Sequence, residues 1–331
     1  MKHLFWINSH STFLTAIGTI NYLGLKDDEV VMVLVRNYRN SISKDNYVKL
    51  DMSWAYNISL IYNLFSYNSI IHRIDNEIAK LVGNDNYILY APSPGGVRIL
   101  QILFTNSLCV GMNYLQEGAL VFGKLFERRK QPLVYQVYDI FLALFYKHRL
   151  WSSHFSWTVP DFLINSKTTP ETFAISKDIF SKSGLKCNII KWPKYDISGT
   201  EYEINEDYPC FVFESSVEMK MVERDIYMEL VKQLVLENAG SMSYVKFHPY
   251  QSGENKQIIL GLFKKMNKPY IELSMGFPFE IYLSSYSHLK VCGFNSSLLV
   301  YARQLGHQTI SKEKELLQRS SKYRRWTEKR L

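Results

Sequence analysis

Apolar residues come along this chain in short runs closed by polar loops. The first run, Leu4–Ile7, ends at the polar stretch Asn8–Thr12. It reads as a strand, with Phe13–Leu23 following as a helix. Glu29–Val35 (EVVMVLV) is almost continuously apolar, the pattern of a strand buried on both faces of a parallel sheet. Ile70–Val82 reads as a helix, Tyr87–Tyr90 as a strand, Pro92–Gly96 as a loop, Val97–Phe104 as a helix and Cys109–Tyr114 as a strand. This alternation predicts an α/β domain built on a parallel sheet.

The middle carries a weaker pattern. Val137–Trp151 is apolar and aromatic and reads as a helix, whereas Lys167–Glu171 is polar. Pro193–Asp207 mixes Pro, Gly and charges, which predicts a linker there. Beyond it the alternation is cleaner. Cys210–Phe213 reads as a strand. Val222, Ile226, Leu230, Val231 and Leu234 then repeat at three and four, one face of a helix, and Gly240 is a natural stop for it. Tyr244–Phe247, Tyr270–Leu273, Leu289–Cys292 and Gln308–Ile310 read as strands. Ile258–Met266, Phe279–Leu283 and Ser297–Leu305 read as the helices between them. The expected organisation is an N-terminal Rossmann-like domain over residues 1–195, a second over 208–310 and a basic C-terminal tail or helix over 311–331.

Composition narrows the classes. Of the 331 residues, 47% are hydrophobic and 21% charged, which fits globular domains with sizeable cores and excludes disorder for the bulk. Residues 4–25 carry no charge, but Asn8–Thr12 interrupt them, so neither a signal segment nor a spanning helix is expected. Cys109, Cys187, Cys210 and Cys292 show no CxxC spacing. They read as small buried hydrophobes in a reducing cytosol, not as a metal or redox site. The net charge is +8, and residues 311–331 hold eight Lys and Arg against three Glu. Lys124, Arg128, Arg129 and Lys130 form a second basic knot. Either cluster suits an anionic membrane face or an acidic polymer. A nucleic-acid-binding protein would use the same charge, but no reading motif accompanies it, and nucleic acid is not an expected partner.

In open α/β sheets ligands bind at the carboxyl ends of the strands, so the residues just after each predicted strand are the candidates. Lys246-Phe247-His248-Pro249 puts a histidine at a strand end, where it can donate to a phosphate. Gly293-Phe294-Asn295-Ser296-Ser297 precedes a helix. Two hydroxyls and free N–H groups there suit an anion, and ordinary N-capping explains one serine as well. Glu117-Gly118 follows the strand at Cys109, with a carboxylate placed to act as a base. Asn8, Ser9, His10, Ser11 and Gly95 also follow predicted strands, in the first half of the chain. Glu214 also follows a predicted strand, and nothing in its surroundings assigns it a role.

The ordered set Glu-Gly, Lys-x-His-Pro, Pro278-Phe279-Glu280 and Ser-Ser resembles the bacterial sialyltransferases that use the GT-B fold. The resemblance points most closely to the capsule polysialyltransferase and lipooligosaccharide sialyltransferase families, and it is strongest over residues 208–309. It implies two Rossmann-like domains whose parallel sheets face a central cleft. It also implies inverting transfer of a nonulosonic acid (sialic, pseudaminic or legionaminic acid) from a CMP-activated donor to a glycan hydroxyl of a capsule or lipooligosaccharide. On that pattern Glu117 is the general base and His248 assists departure of the CMP phosphate. Ser296 and Ser297 hold that phosphate, with Asn295 and Pro249 in the same two motifs. Glu280 accepts from the ribose hydroxyls, Lys246 lies near the cytosine, and Asn8, Ser9, His10, Ser11 and Gly95 would line the acceptor side. The first acidic position of the base motif is Gln116 here, a departure from the family. No cofactor or metal is implied. The enzyme is expected in the cytoplasm, where the basic tail would hold it at the inner face of the membrane. The rival readings are a GT-B enzyme using CMP-Kdo or a UDP-sugar, and a non-catalytic glycan-binding protein on a degenerate transferase fold.

Overall fold

The computed structural model describes residues 1–39, 46–59, 63, 66–92, 97–118, 133–151, 168–181, 183–197 and 203–330. The chain divides into two units, Met1–Pro193 and Lys194–Leu331.

In the first unit the described strands are β1 (Lys2–Ile7), β2 (Val30–Leu34), β3 (Val48–Asp51), β4 (Tyr87–Ala91), β5 (Cys109–Leu115), β6 (Thr172–Ala174) and β7 (Cys187–Ile189). They form one parallel sheet in the order β3-β2-β1-β4-β5-β6-β7. The central strands β1 and β4 are covered on both faces, which is why they read as unbroken apolar runs. Helix α1 (His10–Leu23) is uncharged and buried over ten consecutive residues, Ser11–Ile20, so it lies inside the unit. The helices α2 (Ser53–Tyr56), α3 (Tyr67–Val82), α4 (Arg98–Phe104) and α5 (Leu133–Tyr146) follow. The edge strands β3 and β7, and β6 next to β7, have no counterpart among the predicted elements. β3 (Val-Lys-Leu-Asp) is mostly exposed, and the other two are three residues long, too short to show a period. Helix α5 begins and ends about four residues earlier than its composition suggests.

In the second unit β8 (Cys210–Phe213), β9 (Tyr244–Phe247), β10 (Ile271–Leu273), β11 (Lys290–Gly293) and β12 (Gln308–Ser311) make a parallel sheet in the order β10-β9-β8-β11-β12. Helices α6 (Arg224–Asn238), α7 (Gly253–Lys265), α8 (Phe279–Ser285) and α9 (Ser297–Gln304) connect the strands. Both sheets start centrally, wind to one edge and then cross to the other side. The strand order therefore reverses between β1 and β4, and between β8 and β11. Such switch points leave a crevice at the carboxyl ends of the strands. The stretch after Pro193 is tied down within the second unit. The Tyr195 N–H donates to Ser285 Oγ (3.1 Å) and the Asn205 N–H to Tyr244 Oη (3.0 Å).

The basic C-terminal segment is part of the second unit's core. It forms α10 (Glu313–Arg319) and α11 (Ser321–Arg330). Leu316 and Tyr323 are fully buried beside Tyr227, Leu230 and Phe294. Two of its cations are spent on ion pairs, Arg319 with Glu229 (2.5 Å) and Lys312 with Glu237 (2.9 Å). Replacing Leu316 by Ala is expected to destabilise the second unit by about 2–5 kcal/mol, the usual cost of emptying a buried leucine site. Urea unfolding followed by tryptophan fluorescence checks this. A cost below about 0.5 kcal/mol would show a peripheral appendage instead.

Among the described residues no helix is long and apolar enough to cross a membrane. The four cysteines are free thiols. Burial pushes Cys109, Cys210 and Cys292 up to about 12, so they stay protonated and inert.

Candidate functional site

The second unit places its candidates around the β8/β11 switch point. His248 follows β9, and its N–H continues the ladder by donating to Phe213 O (2.9 Å). Its ring is set by the neighbouring loop. The Tyr250 N–H donates to Nδ1 (3.1 Å), and Ser215 Oγ lies 3.2 Å from the same atom. A backbone N–H can only donate, so Nδ1 carries the lone pair and the ring proton sits on Nε2. Burial lowers the His248 pKa, against the opposing charge of Glu218. At neutral pH the side chain is thus a neutral imidazole with an Nε2–H donor. Pro249 follows it in the exposed turn.

Across β8, the loop after β11 leads into α9. Gly293 is required there by close approach, since a Cβ would stand 2.7 Å from Val212 O. Ser296 is the N-cap of α9 and its hydroxyl accepts from the Leu298 N–H (3.3 Å). Ser297 is the first helical residue. Its half-buried hydroxyl makes no hydrogen bond among the described residues, so it is available to a ligand at the positive end of the helix. The capping and anion-binding readings therefore divide between the two serines. Asn295 is exposed, and its Nδ2 donates to Tyr323 Oη (3.0 Å).

Lys246 lies within β9 and is 8% exposed. Its Nζ donates to the carbonyls of Ser274 (2.5 Å) and Met275 (2.7 Å), and so ties the loop after β10. Burial pulls its pKa down to about 8, while the charge of Glu280 raises it. Glu280 stands in the first turn of α8. Burial raises its pKa, opposed by its own N–H and by Lys246.

Glu214, to which no role was assigned, sits at the switch point itself. Its own N–H and that of Asn295 reach the carboxyl group, and Ser216 Oγ donates to Oε1 (3.4 Å). Its Oε2 is buried with no hydrogen-bond partner among the described residues. Burial pushes its pKa up to about 7 despite these hydrogen bonds, with Glu313 adding to the rise. Unfolding returns the group to its ordinary value near 4.5. The stability it contributes is therefore complete below pH 4.5 and is lost as pH rises through 7. Glu214→Gln is expected to stabilise the second unit by about 3 kcal/mol at pH 8 relative to its effect at pH 4.5. Melting curves at the two pH values check this, and an identical difference in Tm at both would contradict it. The sequence places this residue at a strand end but assigns it no role, because Asn295 is its partner only through the fold.

In the first unit, Glu117 follows β5 and Gly118 turns the chain with a φ of +68°, a conformation that suits glycine. Asn8 Nδ2 donates to Glu117 Oε1 (2.7 Å), and Thr12 Oγ1 donates to Asn8 Oδ1 (3.0 Å). Burial raises the Glu117 pKa, while Asn8 and the charge of Arg36 lower it. The carboxylate is thus oriented, desolvated and more basic than an exposed one. Ser9 is the N-cap of α1, sharing a capping box with Thr12, and Ser11 Oγ lies 3.0 Å from Ser9 Oγ. His10 contacts Tyr38 Oη through Nδ1 (3.1 Å). Gln116, where the resembled family has an acid, is fully buried. Its Oε1 accepts from the Ile175 N–H (3.0 Å), which joins β5 to the chain beyond β6. Gly95 and the knot Lys124–Lys130 lie outside the described residues.

No family model and no curated protein sequence matches the chain. Solved structures do. The 2,6-sialyltransferase of Photobacterium sp., crystallised with CMP and lactose, superposes with a TM-score of 0.51 at 11% identity, covering 93% of this chain and 70% of that one. MnaA of S. aureus, in a co-structure with UDP, gives 0.50 at 11% identity over 99% and 82%. The chain has a GT-B fold of two Rossmann-like domains. At this identity the likeness is one of architecture. It agrees with the two strand orders described above.

Proposed function

We propose that this chain is an inverting glycosyltransferase that moves a nonulosonic acid from a CMP-activated donor to a glycan hydroxyl. The observation that carries the proposal is the pair of donors flanking β8. These are the Nε2–H of His248 on one side, and the free hydroxyl and N-terminal amides of α9 at Ser297 on the other. Donors held in place before reaction stabilise charge on a leaving phosphate without reorganisation. Glu117 supplies the base. In the proposed step the acceptor hydroxyl gives its proton to the Glu117 carboxylate and its oxygen bonds to the anomeric carbon. The bond from that carbon to the phosphate oxygen breaks, and its electron pair leaves with CMP. His248 and Ser297 hydrogen-bond the departing phosphate. Lys246 and Glu280 are proposed on the nucleoside side, and Asn8, Ser9, His10 and Ser11 on the acceptor side. The likeness to a sialyltransferase crystallised with CMP supports the choice of nucleotide.

The alternative donor is CMP-Kdo or a UDP-sugar, and the comparable likeness to MnaA with UDP supports the UDP version. Calorimetric titration of CMP and UDP separates the nucleotides. The proposal expects CMP binding that Ser297→Ala weakens. Binding of UDP without CMP would replace the donor class, and binding of neither would reject nucleotide-sugar transfer.

A further inference from the structure

Glu218 belongs to neither of the motifs that supply a donor, yet it is bonded to the loop that carries one. It lies in the connection between β8 and α6. Its Oε1 accepts from the Ser252 N–H (2.9 Å) and from Asn255 Nδ2 (2.8 Å). Ser252 is the N-cap of α7, and its hydroxyl accepts from the Asn255 N–H (3.2 Å). A carboxylate only accepts, so the Asn255 amide nitrogen is the atom turned toward Glu218. Burial raises the Glu218 pKa, but the bonds from Asn255, from Ser252 and from its own N–H outweigh it and hold the carboxyl below its ordinary value. The group is therefore ionised at neutral pH, a favourable charge at the start of a helix.

Capping alone does not account for where this clasp falls. His248–Ser252 joins β9 to α7, and Glu218 holds its far end. The near end is held by the His248 N–H on Phe213 O, and the Gln251 N–H donates to His248 O (2.9 Å). Between these fixed points lies Tyr250, whose N–H donates to His248 Nδ1. Residues 248–250 face solvent, so water competes for that N–H and the bond depends on the path of the loop. The other neighbour of Nδ1, Ser215 Oγ, comes from the same connection as Glu218. That connection folds back on itself, with the Met219 N–H on Ser215 O and the Met221 N–H on Ser216 O (both 2.9 Å). Lys220 is held there in the left-handed region, at a φ of +57°, a strained conformation for a residue with a side chain. One short segment thus reaches Nδ1 twice, directly through Ser215 and through the loop by way of Glu218. Charge follows the same path. Burial lowers the His248 pKa, and the charge that raises it is that of Glu218. Tyr227 of α6 faces both Glu214 and Glu218, and burial pushes it far enough up to stay protonated.

We propose that Glu218 is a positioning residue for His248. It clasps the loop after β9 so that the Tyr250 N–H stays on Nδ1 and the ring proton stays on Nε2, and its charge acts on the ring. Which ring nitrogen carries the proton is set by the bond the other one makes. The inference rests on the reading of His248 as the donor to a leaving phosphate, but the clasp itself is tested without substrate.

The test is NMR of the His248 ring nitrogens in the full chain, followed through a pH titration and assigned by their loss in His248→Ala. In the wild type the proton is expected on Nε2. Glu218→Ala removes the clasp. It should leave the ring divided between both tautomers and slow CMP release by about 10–100-fold, the usual loss at metal sites when the partner orienting a histidine is removed. Glu218→Gln keeps an oxygen for Ser252 and Asn255. It should restore the Nε2–H form and most of the rate, while the loss of charge lowers the His248 pKa below that of the wild type. A plain helix cap would lower the melting temperature of Glu218→Ala and leave the tautomer where it was, and that result would overturn the proposal. So would a His248 pKa that Glu218→Gln does not lower. The glutamine variant decides the matter by itself if circular dichroism shows that Glu218→Ala does not fold. Calorimetric CMP titration of the wild type is a separate readout. Absence of CMP binding would remove the transferase reading and leave the NMR result to decide the clasp.

Discussion

Replacing Glu117 by Gln is expected to lower the transfer rate by about 10³-fold while CMP binding stays at the wild-type level. The amide keeps an oxygen to accept the hydrogen bond from Asn8 Nδ2, so the local geometry is retained. What is lost is the ability to take the acceptor's proton, and positioned bases of this kind contribute about 10²–10⁴-fold. The pH profile gives a second reading of the same group. Burial holds the Glu117 pKa above the ordinary carboxylate value, and only the deprotonated form is a base. The wild-type rate should therefore rise with pH along an acid limb lying above that ordinary value and then level off. The variant should have lost this limb. A variant retaining more than about a tenth of the activity, with the limb intact, would remove Glu117 from the chemistry.

His248→Ala should lower the rate by about 10²–10³-fold, the usual loss when one donor to developing negative charge is removed. Folding should be little affected, because the ring is only partly covered at the solvent-facing end of β9. The tautomer makes a sharper prediction. Nδ1 accepts from the Tyr250 N–H, and burial lowers the pKa, so the working form is the neutral ring donating through Nε2. The wild-type rate should then hold steady from pH 7 to 8. A fall over that interval that disappears in His248→Ala would mean that the imidazolium is required. Ser215→Ala, which removes a contact to Nδ1 but leaves the Tyr250 N–H, should cost far less than His248→Ala.

Much of the fold was legible because its central strands are short, apolar and buried on both faces. Cys210–Phe213 and Tyr244–Phe247 form strands over the very residues their composition suggests. The outer strands were less legible. β3 has little to bury, and β6 and β7 are too brief to show a period. The C-terminal segment misled for the opposite reason. Its many charges suggest a solvated tail, yet Leu316 and Tyr323, seven residues apart, put one apolar side into the core. Helix α5 shows the converse, apolar residues that composition alone would bury and that the fold leaves exposed.

The candidate residues were found because strand ends can be read from the sequence. Their states could not be read there. That Asn8 orients Glu117, that Tyr250 fixes the His248 tautomer, and that Ser296 is spent on capping while Ser297 is free all depend on local geometry. Glu214 was out of reach for a different reason. Its partner Asn295 comes from a separate strand end and meets it only because β8 pairs with β11.

The central claim is that this chain breaks the bond between a nonulosonic acid and CMP. Its most direct test is to incubate the purified protein with CMP-sialic acid and, separately, CMP-pseudaminic acid, and to measure CMP release. Release from at least one donor, slowed at least about 10²-fold by both Glu117→Gln and His248→Ala, is the predicted result. No release from either donor, together with no calorimetric binding of CMP, would contradict the claim.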